Sequence, residues 1–281
     1  MKLYKTQKHN LLESEGQYFI IDAAWDELIN RDSLYDYLNS GLSTFLSLKD
    51  AEAQVLIASE VMPPIGSQEV WAAGVTYMRS KEARMDESKE SGGADLYDSV
   101  YHADRPELFF KALPHNVRGP GQSVNIRKDS TWNVPEPELT LFISSSGIIQ
   151  AYTIGNDMSS RSIEGENALY LPQAKVYDKS AALGPCLYVT KDAISPDTTI
   201  HMSIYRDGVK HYADSVQLSK MKRTLEELTG FLFRESNFNH GCFLMTGTCL
   251  VPPNDFTLEV GDLVRIQIDG IGTLNNVIAV K

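Results

Sequence analysis

The stretch NVPEPELTLFISSSGIIQAYTIGNDMSSR, residues 133–161, decides the fold of this chain. Two apolar runs, Leu139–Ile143 and Ile148–Ile154, flank the polar turn Ser144–Gly147. Apolar runs joined by a short turn rich in Ser and Gly are typical of a β-hairpin. The sequence therefore predicts two antiparallel strands joined by this turn.

Three carboxylates lie at the open end of this predicted hairpin. Glu136 and Glu138 are two positions apart, so their side chains point to the same side of an extended strand. Asp157 follows the second strand, and the hairpin brings it back beside the other two. Pro135 and Pro137 lack a backbone donor, which predicts an edge strand or an irregular extended segment with side chains available for a ligand.

The three carboxylates suggest a cation site. Close like charges repel each other unless a positive charge lies between them. An all-oxygen set without a neighbouring Cys or His suits Mg²⁺, Mn²⁺ or Ca²⁺ rather than Zn²⁺. The alternative is a solvated strand face at Glu136 and Glu138, with Asp157 as a turn or N-cap residue. The spacing alone leaves both interpretations open.

Seven motifs in chain order resemble those of a known family. They are Pro106–Lys111, the pair Glu136 and Glu138, Asn156–Arg161, Ala174–Asp178, Leu183–Pro185, Thr246–Thr248, and Gly261–Val264 with Gly270–Asn276. The series is similar to that of the fumarylacetoacetate hydrolase superfamily and extends from Trp71 to the end of the chain.

The resemblance implies a fold and a division into domains. The fold expected is α+β and strand-rich, a mixed β-sandwich roll of the fumarylacetoacetate hydrolase C-terminal type with a small N-terminal α/β lobe. We expect the lobe at residues 1–68 and the catalytic domain at residues 69–281. Within the lobe, apolar residues at helical spacing predict a helix over Ala24–Leu38.

Composition limits the classes of partner. The chain has 281 residues, 42% of them apolar and 22% charged, which is typical of a globular protein. A net charge of −11 argues against nucleic-acid or anionic-membrane binding, because both need a positive surface. Neither a membrane-spanning apolar run nor a signal-peptide core is present. We therefore expect a cytoplasmic protein.

The segment after the apolar strand Glu69–Tyr77 indicates the reaction type. Many hydrolytic members of the superfamily have Tyr-x-x-His-x-x-Glu here, and the His and Glu activate water. This chain has Tyr77, Ser80 and Ala83 at those positions, so the dyad is missing. The motifs Gly-Val-Thr-Tyr-x-Arg-Ser and Glu-Ala-Arg-Met-Asp-Glu-Ser are instead similar to a branch that dehydrates 2-keto-3-deoxy-pentonates to 2,5-dioxopentanoate. We favour that Mg²⁺-dependent hydro-lyase function, in pentose catabolism.

The same segment carries two structural predictions. Charges of both signs alternate over Arg79–Glu90, which predicts a solvated surface helix. The glycines of Ser91–Gly93 predict a hinge for a lid over the substrate, with a plain flexible connector as the alternative.

The resemblance also implies roles for particular residues. The metal, Mg²⁺ or else Mn²⁺ or Ca²⁺, is expected on Glu136, Glu138 and Asp157. Lys175 is the first candidate for the base that removes a C3 proton, and Glu107 and Lys111 are further candidates. The expected partners are a small 2-oxo acid and a second copy of the chain, in a homodimer or homotetramer. The expected substrate-binding residues are Arg79, Arg161, Asp178 and Thr248, of which Thr248 matches the family's carboxylate-binding threonine.

Two alternatives keep the metal or the fold but change the function. One is a hydrolase of acylpyruvates or diketo sugar acids, or an oxaloacetate-type decarboxylase. The other is a catalytically silent member in which the carboxylates bind a structural ion. The missing dyad counts against hydrolysis, and the retained Lys175, Thr248 and carboxylates count against silence.

Overall fold

The computed structural model describes residues 1–87 and 94–281. Within these ranges the chain forms eighteen strands and eight α-helices. The strands are β1 (Lys2–Lys5), β2 (Asn10–Ser14), β3 (Gln17–Ile21), β4 (Leu46–Leu48), β5 (Glu69–Gly74), β6 (Glu107–Ala112), β7 (Val117–Arg118), β8 (Ser123–Ile126), β9 (Asn133–Val134), β10 (Pro137–Ile143), β11 (Ile149–Asp157), β12 (Ser159–Ser160), β13 (Ala181–Tyr188), β14 (Thr199–Arg206), β15 (Val209–Gln217), β16 (Cys242–Met245), β17 (Leu263–Ile268) and β18 (Gly272–Val280). The helices are α1 (Trp25–Ile29), α2 (Leu34–Gly41), α3 (Asp50–Glu60), α4 (Met78–Glu87), α5 (Ala94–His102), α6 (Arg161–Glu166), α7 (Leu171–Lys175) and α8 (Leu225–Leu232).

An eleven-stranded sheet forms the frame of the described part of the chain. Ten of its strands follow the spatial order β4-β3-β2-β1-β13-β11-β10-β16-β5-β6, and β7 pairs with β13. The N-terminal strands join this sheet because β1 pairs antiparallel with β13, with Leu3 opposite Leu187. The expected lobe thus shares a sheet with the rest of the chain, and its boundary at residue 68 stays a prediction.

The predicted hairpin is formed by β10 and β11 near the middle of the large sheet. The polar turn Ser144–Gly147 connects them, and Glu138 lies opposite Gly155. From Thr140 onward β10 also pairs with β16, so it is an interior strand. The expectation of an edge strand holds only for Pro137 and Glu138, because the Leu139 carbonyl already accepts a hydrogen bond from the Thr246 backbone N–H at 3.0 Å.

Alternation along β10 supplies two hydrophobic cores, one on each face of the large sheet. Leu139 and Leu141 point into the core shared with the five-stranded sheet β15-β14-β17-β18-β8. Phe142 points into the opposite core, together with Leu28 and Leu34 of the N-terminal helices. Each fully buried side chain of this size contributes about 1.5–3 kcal/mol. The strand-rich α+β fold with packed sheets is confirmed.

The helix predicted over Ala24–Leu38 is divided into α1 and α2. Asn30 leaves the helix, and its Oδ1 accepts a hydrogen bond from the Ser145 backbone N–H at 2.7 Å. Asp32 Oδ1 accepts from Ser144 Oγ at 2.8 Å. The turn of the β10–β11 hairpin thus satisfies the polar groups of the break, a contact more than a hundred residues away in sequence.

The predicted charged helix is present as α4, but it is not entirely solvated, because Arg84 is buried. Residues 88–90 of that prediction, and the predicted glycine hinge at residues 91–93, lie outside the described residues. No helix in the ranges 1–87 and 94–281 combines the length and the apolar character needed to cross a membrane.

A Gly155→Ala substitution should test the packing of the hairpin. A Cβ at Gly155 would lie 2.3 Å from Thr140 Oγ1 and 3.1 Å from Met245 Cε, inside a closed sheet. We expect a loss of about 1–3 kcal/mol in the free energy of unfolding, measured in urea. Gly230→Ala in α8 is the control, since nothing lies within 4 Å of its Cβ position. Gly230→Ala should stabilise the protein by roughly 0.5–1 kcal/mol. An unchanged urea midpoint for Gly155→Ala would contradict the close packing around Gly155.

Candidate active site

The open end of the hairpin brings together the three carboxylates that the sequence singled out. The Asp157 backbone N–H donates to the Glu136 carbonyl at 2.9 Å, which fixes the two chain segments side by side. One oxygen from each of Glu136, Glu138 and Asp157 lies within 4.8 Å of the others. All three side chains are at most 3% exposed, so they are not a solvated strand face.

Glu138 differs from the other two carboxylates in its partners. It accepts a hydrogen bond from the Gly247 backbone N–H at 2.7 Å, and among the described residues it has no ion-pair partner. Burial raises the pKa of Glu138 well above its ordinary value, and the charges of Asp157 and Glu136 raise it further. A divalent cation between the carboxylates would remove this repulsion. The all-oxygen donor set fits Mg²⁺, Mn²⁺ or Ca²⁺.

Lys175, at the end of α7, contacts two of the carboxylates. Its Nζ donates to Glu136 Oε2, to Asp157 Oδ2 at 3.2 Å and to Ser159 Oγ at 2.6 Å. The side chain is fully buried. Lys175 therefore lies inside the site, as the sequence predicted, and its ammonium group has three acceptors.

Lys111, on β6, contacts the carboxylate oxygen of Asp157 that Lys175 does not contact. Its Nζ pairs with Asp157 Oδ1 and donates to the Met158 carbonyl at 3.0 Å. Burial lowers the pKa of Lys111, and Asp157 opposes that effect. For Asp157 itself, burial raises the pKa, but the charges of Lys111 and Lys175 outweigh it and leave the pKa below its ordinary value.

Glu107 lies on β6, as Lys111 does, and also faces the site. Side chains alternate along the first part of β6, so Glu107 and Phe109 share one face, and a register shift against β5 follows at Lys111. Lys175 Nζ lies 5.8 Å from the centre of the Phe109 ring, which places this face against the site. Glu107 Oε2 is buried and has no hydrogen-bond partner among the described residues.

Arg161 begins α6 and is 2% exposed. It follows Asp157 by four positions, a spacing that predicts a pair with that carboxylate if the chain turns helical, and the resemblance implies contact with a substrate anion. In the structure its Nη2 donates to Glu136 Oε1 at 2.9 Å, so the carboxylate partner is Glu136 rather than Asp157. Burial, together with the neighbouring charge of Arg84, lowers the pKa of Arg161.

Arg84 and Glu164 belong to the site, although the sequence did not single them out. Arg84 of α4 and Glu164 of α6 are both buried and form an ion pair. Burial lowers the pKa of Arg84, but the charges of Glu107 and Glu136 outweigh it, and the pKa is raised. Glu164 follows Arg161 by three positions on a helix, a spacing that places both on one face and was a usable signal. Arg84 gave no such signal, because it lies in a run of charged residues that is typical of a surface helix.

Thr248 lies in the loop after β16, next to the metal carboxylates. Its neighbour Gly247 has φ +97° and donates its N–H to Glu138. Thr248 is 5% exposed, and its Oγ1 accepts from the Leu250 backbone N–H at 3.3 Å. Thr248 is therefore next in sequence to Gly247, whose N–H contacts Glu138, one of the three carboxylates.

Two predicted substrate-binding residues lie apart from the buried cluster. Arg79 is half-exposed and pairs with Asp214 of β15 at 3.0 Å. Asp178 is exposed on a turn, and its ion-pair partner is Lys281 at 2.6 Å. Asp178 is therefore not part of the buried cluster formed by Glu136, Glu138 and Asp157.

Comparisons with known proteins give one family and several relatives. Residues 70–279 match the family described as fumarylacetoacetate (FAA) hydrolase C-terminal. A probable 2-keto-3-deoxyxylonate dehydratase of Haloferax volcanii is 48% identical over 214 residues, 76% of this chain and 73% of that protein. A 2-dehydro-3-deoxy-D-arabinonate dehydratase of Saccharolobus solfataricus is 40% identical over 216 residues, 76% of this chain and 72% of that one.

The fold is also similar to that of a solved structure over its whole length. That structure is a 2-keto-3-deoxy-D-arabinonate dehydratase complexed with magnesium and 2,5-dioxopentanoate. The TM-score is 0.86 at 31% identity, with 100% of this chain and 99% of that chain covered.

Proposed function

Because the chain belongs to the fumarylacetoacetate hydrolase family, we propose that it is a Mg²⁺-dependent dehydratase that converts a 2-keto-3-deoxy-pentonate into 2,5-dioxopentanoate and water. The buried trio of Glu136, Glu138 and Asp157, in contact with Lys111 and Lys175, is the observation that carries the proposal. Relatives named as dehydratases of this substrate class, at 40% and 48% identity, support it.

The three carboxylates would hold the metal ion. They fit it because they are all oxygen donors, are buried together, and leave Glu138 without an ion-pair partner among the described residues. Bound there, Mg²⁺ supplies a Lewis acid that withdraws electron density from the 2-keto group and so acidifies the protons on C3. Thr248, close to Glu138, is the residue we propose for the substrate carboxylate.

Glu107 is the base in this proposal. A carboxylate oxygen that is buried and lacks a hydrogen-bond donor keeps an acceptor position for a proton, and Glu107 Oε2 meets this description among the described residues. It lies on the same strand, β6, as Lys111, whose ammonium contacts Asp157. Glu107 therefore takes the proton from C3.

Lys175 supplies the proton for the leaving 4-hydroxyl. The three acceptors around its Nζ match the three N–H groups of an ammonium, whereas a neutral amine would leave one acceptor without a donor. The geometry therefore supports an acid role for Lys175, in place of the base role expected from the sequence. General acid catalysis of this kind typically contributes about 10²–10⁴-fold in rate.

The proton transfers balance without a redox partner. Loss of a C3 proton and of the 4-hydroxyl as water gives an unsaturated 2-keto acid. Removal of a C5 proton and return of a proton to C3 give an enol, which tautomerises to the C5 aldehyde. The oxidation of C5 is matched by the reduction of C4, so the net change is the loss of one water.

A cytoplasmic location stays a prediction of the sequence. A homodimeric or homotetrameric assembly and substrate contacts from Arg79, Arg161 and Asp178 stay predictions of the family resemblance. Sedimentation of the purified protein tests the assembly. Fractionation of the source cells tests the location.

The first experiment is an assay of 2-keto-3-deoxy-pentonate with Mg²⁺, with 2,5-dioxopentanoate identified by mass spectrometry. We expect turnover that is lost in EDTA and returns with Mg²⁺ or Mn²⁺, because the site offers only hard oxygen donors. Cleavage of acylpyruvates in place of dehydration would contradict the proposal. EDTA-resistant dehydration would contradict the role of the metal.

A further inference from the structure

Gly74, the last residue of β5, lies opposite Glu107 in the antiparallel pair β5–β6. A Cβ at Gly74 would be 1.8 Å from Glu107 Oε2, 2.6 Å from Cδ and 3.3 Å from Cγ. The three nearest atoms all belong to the Glu107 side chain. The carboxylate therefore occupies the volume that any other residue at position 74 would fill.

The backbone does not require glycine at this position. Gly74 is not among the residues with positive φ, and the left-handed residue of this turn is its neighbour Val75, at φ +53°. An alanine at position 74 would meet no conformational penalty of its own. Contact with Glu107 is thus the feature that distinguishes glycine from alanine here.

We propose that Gly74 is a positioning residue, whose missing side chain lets the Glu107 carboxylate lie across the strand and face the substrate. The inference rests on the proposed function, in which Glu107 takes the C3 proton. A Cβ would push Glu107 Oε2 away by roughly 1.5 Å or more to restore an ordinary contact distance. The end of a flexible side chain can move in this way without unfolding the sheet.

The main variant is Gly74→Ala, assayed for dehydration at saturating Mg²⁺. Misplacement of a catalytic group by about 1 Å can cost 10²-fold in rate, so we expect kcat to fall by about 10²-fold. KM, and the affinity for Mg²⁺ measured by calorimetry, should change less than about 3-fold, because the metal carboxylates lie outside β5 and β6. Gly230→Ala, with open space at its Cβ, is the matched control and should keep wild-type kcat.

A double variant distinguishes positioning from general damage to the sheet. Glu107→Asp removes the Oε2 atom that lies nearest to a Cβ at position 74, so Gly74→Ala should add less than the 10²-fold loss expected in the wild-type background. If Gly74→Ala also lowers the thermal unfolding midpoint, the midpoint loss should vanish in a Glu107→Ala background.

Three results would overturn the inference. The first is wild-type kcat in folded Gly74→Ala. The second is a full 10²-fold loss added to Glu107→Asp. The third is a midpoint loss that persists without the Glu107 side chain. A wild-type enzyme without dehydratase turnover would instead contradict the proposed function, and the inference would fail with it.

Discussion

Glu138→Gln is expected to abolish nearly all Mg²⁺-dependent turnover while leaving the metal-free protein at least as stable as wild type. Glutamine has the shape of glutamate and can still accept the hydrogen bond from Gly247. It lacks the negative charge that a hard cation needs. Because a Lewis acid contributes several kcal/mol to such a reaction, we expect turnover to fall by about 10³-fold or more. Calorimetry should show weakened Mg²⁺ binding in parallel.

Stability of the metal-free protein gives an independent readout of the same substitution. Burial raises the pKa of Glu138 above its ordinary value of 4.5. The folded state therefore binds this proton more tightly than the unfolded state. The resulting stability is present below that ordinary value and is lost as the pH rises through the folded pKa. In EDTA, wild type should show this loss in urea unfolding, and Glu138→Gln should show less of it.

The control is Glu226→Gln, which changes an exposed carboxylate on α8. It should affect neither turnover, nor Mg²⁺ affinity, nor the pH dependence of unfolding. A Glu138→Gln protein that retains EDTA-sensitive turnover at the wild-type rate would show that Glu138 is not a metal ligand.

The core of the site was predictable because its determinants are local. Alternation along a strand places Glu136 and Glu138 on one side, and a short turn returns the chain to Asp157. Both features depend on residues within a stretch of 29 positions, 133–161, which contains the hairpin β10–β11. These three side chains could therefore be grouped from the local sequence alone, without knowledge of the rest of the fold.

The remainder depends on contacts between distant segments. Arg84 has the sequence neighbours of a surface residue, and it is buried because α6 places Glu164 against it. The helix over Ala24–Leu38 is interrupted because the hairpin turn offers partners to Asn30 and Asp32. Neither partner is visible in the local pattern. Such side chains can be located only once the packing of the sheets is known.

The position of Glu107 relative to Gly74 is a further feature that the sequence alone does not predict. The family motif suggested it as one of several bases, but its relation to Gly74 follows from the register of β5 against β6. A shift by one residue would turn every side chain of β6 to the other face. The choice between Glu107 and Lys175 as the base therefore depends on the positions of their side chains in the fold. The spacing of residues along the sequence does not give these positions.

Lys175→Met is expected to lower kcat for dehydration by about 10²–10⁴-fold at saturating Mg²⁺, because the leaving hydroxyl loses its proton donor. The substitution also removes a positive charge from Glu136 and Asp157. Mg²⁺ should therefore bind at least as tightly as in wild type, which separates this loss from that of Glu138→Gln. Lys220→Met, at an exposed lysine, is the control and should keep both kcat and affinity.

Hydrogen exchange then decides which residue is the base. The probe is 2-oxopentanoate, which has C3 protons but no 4-hydroxyl, so it can exchange in D₂O without dehydration. We expect NMR to show C3 exchange in wild type and in Lys175→Met, and its loss in Glu107→Gln, because only the base touches the C3 proton. The opposite pattern, with exchange lost in Lys175→Met and kept in Glu107→Gln, would assign the base to Lys175. The three hydrogen bonds of its ammonium would then describe only the protein without substrate.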